Sequence, residues 1–124
     1  MREIFFRAWM QGNMYYNHSV SITIDGEVHY LDTYGNWEED KNDGIVTLMQ
    51  YTGIKDENSE MIFEGDIISY TQHHHNTEMV KTKTKVVKWN KDRWNVYETS
   101  AGESNVKKIG NIWETPELIP NESI

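Results

Sequence analysis

Residues 20–31, VSITIDGEVHYL, contain two short runs of alternating apolar and polar residues on either side of Asp25-Gly26. Alternation with a period of two is typical of strands that bury one face. An Asp-Gly pair favours the positive φ values of a two-residue hairpin turn. The stretch therefore predicts a β-hairpin. No part of the chain shows the sustained 3.6-residue period of a helix.

Further strand-like runs lie on both sides of this hairpin, with turn residues between them. In chain order they are residues 3–9, 14–16, 47–51, 61–63, 67–70, 79–89, 93–97 and 106–109. The runs 79–89 and 93–97 predict a second hairpin, and residues 32–44 predict a loop. Thr115-Pro116 predicts a short helical turn near the C-terminus, because threonine can cap a helix and proline tolerates its first position.

Many short strands separated by frequent turns predict an all-β or predominantly β fold. We expect a small, partly open barrel of SH3-like character. The 124 residues predict a single domain, 1–124. The chain has no cysteine, which excludes disulfides, thiolate nucleophiles and cysteine-based metal sites. It shows neither a signal-peptide pattern nor an apolar run of about 18 residues, so we expect neither secretion nor membrane insertion.

The charge is distributed unevenly along the chain. The formal net charge is −8, from 12 basic and 20 acidic residues, and most of the acids precede residue 67. A basic stretch follows, in which Asp92 is the sole acid between residues 81 and 93. Its candidate nucleic-acid contacts are Lys81, Lys83, Lys85, Lys88, Trp89 and Arg93. Lysines could bind phosphates and the tryptophan could stack on bases. The net charge opposes this interpretation, which competes with a solvated strand face whose lysines block edge-to-edge aggregation.

Three adjacent histidines, His73, His74 and His75, are the most conspicuous candidates for metal ligands. Neighbouring residues in a strand point to opposite faces, so consecutive histidines rarely converge on one metal ion. His73 and His75 could share a face, with Glu78 or Asp66 as a third ligand, but we expect an exposed loop without a resident metal, and no cofactor. Acid pairs such as Glu64 and Asp66 lie in predicted turns and do not form the cleft that glycoside hydrolysis needs. The sequence predicts no catalytic residues and no enzyme.

The 15 aromatic residues are too many for one small core. The predicted core residues are Phe5, Trp9, Tyr30, Ile67, Val87, Trp89, Val96 and Trp113. Some aromatic side chains among Tyr15, Tyr16, Tyr34 and Trp37 should be exposed or lie at an interface, because aromatic residues are enriched in protein–protein contacts.

Three stretches together resemble the YopX family of bacteriophage and prophage proteins: residues 2–9, residues 48–67 and residues 109–118. The first reads REIFFRAW, the second includes LMQYTGIKD and IFEGDI, and the third reads IGNIWETPEL. The resemblance implies a mostly β fold and a phage or prophage origin. It supplies no catalytic residues.

The matching segments also have a physical interpretation as turns that specify the fold. Gly65, between Glu64 and Asp66, permits a tight turn in which the aspartate accepts backbone N–H groups. Gly110 and Asn111 would let the chain leave a strand sharply. For Gly65 we expect a φ that other residues adopt poorly.

These observations favour a phage or prophage accessory protein that is not an enzyme. We expect it to act through protein–protein contacts or self-assembly, as a homo-oligomer or bound to a host or phage protein, in the cytoplasm of the bacterial host. We expect no membrane partner and favour no nucleic-acid partner. The alternative is weak nucleic-acid binding through the predicted basic hairpin 81–93.

Overall fold

The computed structural model describes residues 5–16, 19–23, 25–32, 34–40, 46–73, 80–96 and 103–120. The predicted predominantly β fold is confirmed, and one sheet curls into a half-barrel. The strands are β1 Phe6–Met10, β2 Asn13–Tyr15, β3 Val20–Ile22, β4 Val28–Leu31, β5 Trp37–Glu39, β6 Thr47–Lys55, β7 Met61–Phe63, β8 Asp66–His73, β9 Val80–Val86, β10 Trp89–Asn90, β11 Arg93–Trp94 and β12 Glu103–Asn111. A short 3₁₀ helix, Pro116–Leu118, follows β12.

The chain divides into two compact units, Met1–Tyr51 and Thr52–Ile124. Strand β6 begins in the first unit and ends in the second. The expectation of a single domain, 1–124, stays a prediction. No helix in the described parts of the chain has the length and apolar character needed to cross a membrane.

In the first unit, β1 pairs with β2 and with the beginning of β6, all antiparallel. Gln11 and Gly12 connect β1 to β2 and have φ values of 48° and 83°. Positive φ at both central residues is what a two-residue type I′ turn requires, and this turn matches the twist of the flanking strands. The other strands of this unit form a three-stranded antiparallel sheet in the order β3-β4-β5. Ala8 and Met49 are among the buried apolar residues of the unit.

The hairpin predicted from residues 20–31 is present, but its loop is longer than expected. The N–H of Thr23 donates to the carbonyl of Glu27, and the N–H of Gly26 donates to the carbonyl of Thr23. Three residues therefore lie inside the loop instead of two, and Gly26 takes the positive φ at its third position, 86°. The prediction of a two-residue turn was wrong because a three-residue loop with glycine in the left-handed conformation fits the same dipeptide.

The prediction that residues 32–44 form one loop was also wrong, because Trp37–Glu39 is a strand. It pairs with β4 in the register Leu31 opposite Trp37 and His29 opposite Glu39. All three residues of β5 are exposed. A polar, exposed edge strand shows little alternation of hydrophobicity, so its sequence resembles that of a loop.

In the second unit, the C-terminal part of β6 forms a hairpin with β7. Three further strands form an antiparallel sheet in the order β12-β8-β9. Buried side chains from several strands and from the segment after β9 form a core cluster: Ile62, Ile68, Val87, Trp94, Val96 and Val106. Of the predicted core residues, Ile67, Val87 and Val96 are buried, whereas Trp89 is 49% exposed. The assignment of Trp89 to the core was wrong, since Trp94 occupies the buried position in that hairpin.

Residues 80–96 do not form the single long hairpin that the runs 79–89 and 93–97 predicted. Strand β9 ends at Val86 and pairs with β8, while Trp89–Asn90 alone pairs with Arg93–Trp94. The break follows from the hydrogen bonds of Val87. Its carbonyl accepts the N–H of Gly65, and its own N–H donates to Asp66. Two residues of one segment thus face one residue of the other, which bends a strand pair as a β-bulge does.

Candidate interaction surfaces

Strands β4 and β5 and their connecting turn, residues 28–39, carry the most exposed aromatic side chains of the first unit. We call this segment the aromatic hairpin. Tyr34 is 88% exposed and Trp37 is 51% exposed, and Tyr16 outside the hairpin is also exposed. Tyr15 is half-buried, with its ring centroid 5.8 Å from that of Tyr30. The expectation that some of these aromatic residues are exposed is therefore confirmed.

The turn that carries Tyr34 is organised by Asp32. One carboxylate oxygen of Asp32, Oδ1, accepts the N–H of Tyr34 at 2.9 Å and that of Asn36 at 2.8 Å. The N–H of Asp32 donates to the carbonyl of Asn36, and the N–H of Gly35 donates to the carbonyl of Asp32. Gly35 supplies the positive φ, 83°. Tyr34 is thus held at the tip of a hydrogen-bonded turn with its side chain in solvent.

The strand register places Trp37 on one face of the sheet together with Leu31, His29 and Glu39. Residues directly opposite each other on antiparallel strands share a face. Glu27 adds a second carboxylate there, 3.3 Å from Nε2 of His29. This face therefore presents one half-exposed tryptophan beside a half-buried leucine, bordered by acidic groups.

Three of the predicted nucleic-acid contacts lie on β9, where Lys81, Lys83 and Lys85 project from the same face of the strand. Lys81 and Lys83 are exposed, and Lys85 is half-buried. The ammonium group of Lys85 lies 4.6 Å from the ring centroid of Tyr70, a cation–π distance. The structure therefore exposes two of these three lysines.

The other predicted contacts, Lys88, Trp89 and Arg93, lie in or beside the small β10–β11 hairpin. All three are exposed, and Arg93 Nε lies 3.4 Å from Asp92. The ring of Trp89 meets that of Trp94 edge-on, at 5.1 Å between centroids, and its indole N–H donates to the carbonyl of Lys91. The basic residues thus belong to two separate elements.

The turn between β7 and β8 contains Glu64 and Gly65, and Asp66 is the first residue of β8. Gly65 has the expected positive φ, 89°. Its carbonyl accepts the N–H of Ile112. The side chain of Asp66 is fully buried, and its Oδ2 accepts the N–H of Phe63 at 2.7 Å. Glu64 is only half-buried. The glycine and the aspartate therefore join the end of β7, the start of β8 and the segment after β12.

Gly110 and Asn111 lie at the end of β12, where the chain turns towards the 3₁₀ helix. Oδ1 of Asn111 accepts the N–H groups of Trp113 and Glu114. A Cβ atom at Gly110 would overlap Oγ1 of Thr115. Thr115 does not cap the helix with its side chain. Its hydroxyl instead bonds the backbone of Asn111, so the predicted capping role was wrong.

Sequence reasoning missed the role of Asp56, which it placed only in a turn cluster. Oδ1 of Asp56 accepts the N–H groups of Asn58 and Glu60, and Oδ2 accepts the N–H of Lys108 on β12. Burial raises the pKa of this carboxyl. These three backbone donors and the charge of Lys108 outweigh that effect, so the pKa lies below its ordinary value. The available signal was the aspartate itself at the start of the turn cluster, because aspartate side chains in turns accept the N–H of a residue two positions on.

The predicted histidine loop lies mostly outside the described residues. The backbone of His73 ends β8 opposite Val80, and His74 and His75 are not among the residues described. Within the described parts of the chain, no three side chains of the types that bind metal ions lie together. The absence of a resident metal stays a prediction.

Comparison with known proteins gives a family and a fold. The family model described as YopX protein matches residues 5–120. The crystal structure of protein EF1440 from Enterococcus faecalis is similar, with a TM-score of 0.63 and 24% sequence identity over 97% of this chain and 100% of that one. At this identity the likeness concerns the fold alone. No curated protein matches the chain in sequence.

Proposed function

We propose that this chain, which belongs to the YopX family, is a phage or prophage accessory protein that assembles with copies of itself and is not an enzyme. It acts in the bacterial cytoplasm through protein–protein contacts, and the aromatic hairpin is the contact surface. The absence of catalytic function rests on the sequence, which has no cysteine and no recognisable nucleophile, phosphate-binding loop or acid pair in a cleft.

The observation that carries this proposal is the exposure of Trp37 and Tyr34 on one hairpin. Large aromatic side chains lose much apolar area from water when they are covered, and tryptophan and tyrosine dominate the binding energy of many interfaces. Of the ten residues in β3, β4 and β5, Val20 alone is buried. A sheet with so little buried surface gains stability when a partner covers it.

The geometry of the Asp32 turn supports the same function. Two hydrogen bonds to one carboxylate oxygen hold the backbone at Tyr34 and Asn36 before any partner arrives. A side chain presented on a rigid turn loses less conformational entropy on binding than one on a flexible loop. The hairpin therefore has a preorganised aromatic tip and a half-exposed tryptophan on the adjoining strand.

Size-exclusion chromatography with light scattering tests the proposal with Trp37→Ser, Tyr34→Ser and the control Ile119→Ser. Ile119 is also an exposed apolar residue, 44% exposed, but lies near the 3₁₀ helix. We expect an oligomeric wild type and control, and a shift of Trp37→Ser towards the monomer with its melting temperature preserved. A monomeric wild type at millimolar concentration would exclude self-assembly. An unchanged mass of both hairpin variants would exclude this surface.

One observation favours a second function, weak nucleic-acid binding. Trp89 is half-exposed between Lys88 and Arg93, which are also exposed. A tryptophan beside cations can stack on a base while the cations bind phosphates. Fluorescence anisotropy with labelled single- and double-stranded oligonucleotides at low salt tests this function. Micromolar binding that is lost when Lys81, Lys83 and Lys85 are all replaced by glutamine, and also when Lys88 and Arg93 are, would favour it over self-assembly. Unchanged stability of this triple variant without binding would identify a solvated strand face.

A further inference from the structure

Among the described residues, no strand or turn bonds the outer edge of β9 at Thr82 and Thr84. The backbone N–H and C=O groups of Val87 form hydrogen bonds with Asp66 and Gly65, on the β8 side of the strand. Because antiparallel strands alternate the direction of their backbone groups, residues 85, 83 and 81 also bond towards β8. The N–H and C=O groups of Thr82 and Thr84 therefore point the other way. β9 is the last strand on that side of the β12-β8-β9 sheet, as far as the described residues form it.

The outward direction of the backbone groups of Val86 and Lys88 explains how Asn95 bonds the end of this edge. The side-chain amide of Asn95 donates to the carbonyl of Val86 at 2.8 Å and accepts the N–H of Lys88 at 3.0 Å. The opposite edge of the sheet is partly covered by the Asp56 turn, which bonds Val106 and Lys108 of β12. The side chains of Asn95 and Asp56 and the backbone N–H of Glu57 thus cover part of the two edges, and no described residue bonds the outward backbone groups of Thr82 and Thr84.

The charges along this edge select what can pair with it. Lys81 and Lys83 are exposed and flank Thr82, and no acidic residue lies between positions 81 and 91. A second copy of β9 would bring lysines opposite lysines, which opposes pairing. A nucleic acid could bind the lysine side chains through its phosphates. It could not pair with the outward N–H and C=O groups of Thr82 and Thr84 as a neighbouring β-strand does. An extended acidic peptide satisfies both sets of groups.

We propose that the edge of β9 binds an extended acidic segment of another protein as an added antiparallel strand. Residues of that segment opposite Thr82 and Thr84 exchange backbone hydrogen bonds with them. The residues between and beside these positions lie opposite Lys83 and Lys81, and are acidic. The recognised pattern is therefore a strand with acidic residues at every second position. This site is separate from the aromatic hairpin and does not depend on self-assembly.

The test uses a capped peptide of alternating threonine and glutamate, TETETET, titrated into the full-length protein at low salt and followed by amide NMR shifts. One control peptide carries the same residues with the glutamates adjacent, and another is N-methylated at its interior threonines. We expect the parent peptide to shift the amides of Thr82 and Thr84. N-methylation should weaken binding by about tenfold, since it removes backbone donors but no charge.

Protein variants separate the charge contribution from folding defects. Lys83→Gln should weaken the parent peptide severalfold, whereas Lys55→Gln, an exposed lysine at the end of β6, should not. Equal affinity of the parent and N-methylated peptides would overturn strand addition and leave charge attraction alone. Tighter binding of an oligothymidine that displaces the peptide would assign the edge to nucleic acid instead. No shift at millimolar peptide would also refute the proposal.

Discussion

Gly65 shows how one residue determines a local connection. Its φ of 89° lies in the region that side chains rarely adopt, and its N–H and C=O bond Val87 and Ile112. We expect Gly65→Val to lower the free energy of unfolding by about 1–3 kcal/mol, because the turn must either strain or give up these bonds. Urea denaturation of both proteins measures the difference.

Ser59 provides the control of opposite sign for Gly65→Val. It has a φ of 63° in the turn after Asp56. Ser59→Gly should leave stability unchanged or raise it by less than about 1 kcal/mol, because relief of strain is partly offset by the larger entropy of the unfolded chain. A Gly65→Val protein as stable as the wild type would show that the turn is not constrained.

Asp56 should make stability depend on acid pH. Its pKa is lowered in the folded protein, because the three backbone N–H donors and Lys108 outweigh the effect of burial. The resulting stabilisation is present above the unfolded pKa of about 3.9 and is lost as the pH falls through the folded value. Asp56→Asn should therefore cost about 1–3 kcal/mol at pH 7, and the cost should shrink below about pH 4. A cost that stays constant from pH 7 to pH 2.5 would contradict this assignment.

At the scale of one strand, β12 carries two adjacent lysines with different surroundings. Lys108 lies 3.3 Å from the fully buried carboxylate of Asp66 and donates to the carbonyl of Met61. Lys107 lies 3.3 Å from Glu57, and both of these side chains are substantially exposed. Because side chains alternate between the two faces of a strand, Lys108 forms a buried ion pair and Lys107 forms a surface ion pair.

This difference predicts unequal costs for the same substitution. Lys108→Met should lower the free energy of unfolding by about 1–3 kcal/mol, because a buried carboxylate loses its neighbouring cation. Lys107→Met should cost about 0–1 kcal/mol, since exposed pairs contribute little. Thermal melts of the two variants at neutral pH give the comparison. Equal melting temperatures would show that the Lys108–Asp66 contact contributes no more than the surface pair.

At the scale of the whole molecule, we expect no stoichiometric metal despite the three consecutive histidines. Alternating side-chain directions in an extended segment keep neighbouring histidines from sharing one ion. Elemental analysis of tag-free protein after dialysis against a weak chelator should give far less than one metal ion per chain. One zinc per chain would mean that His73, His74 or His75 meets further ligands.

Local chemistry in the sequence determined the fold class and most turn positions. Period-two alternation predicted the hairpin around Asp25-Gly26, and a glycine before an aspartate predicted the turn at Gly65. Both signals depend on residues that are close along the chain, so no distant contact was needed to interpret them. The Asp56 turn carries a similar local signal, but its bond to Lys108 joins residues 52 positions apart.

Only the tertiary structure decided which strands pair and which side chains are exposed. The run after residue 79 looked like one long strand with a partner at 93–97, yet β9 pairs with β8, because Val87 bonds to Gly65 and Asp66 and bends the chain. Trp89 and Trp94 have the same side chain and face each other across one hairpin, but Trp94 is buried and Trp89 is half-exposed. Strand partners and burial depend on groups distant in sequence, and alternation along one strand carries no information about them.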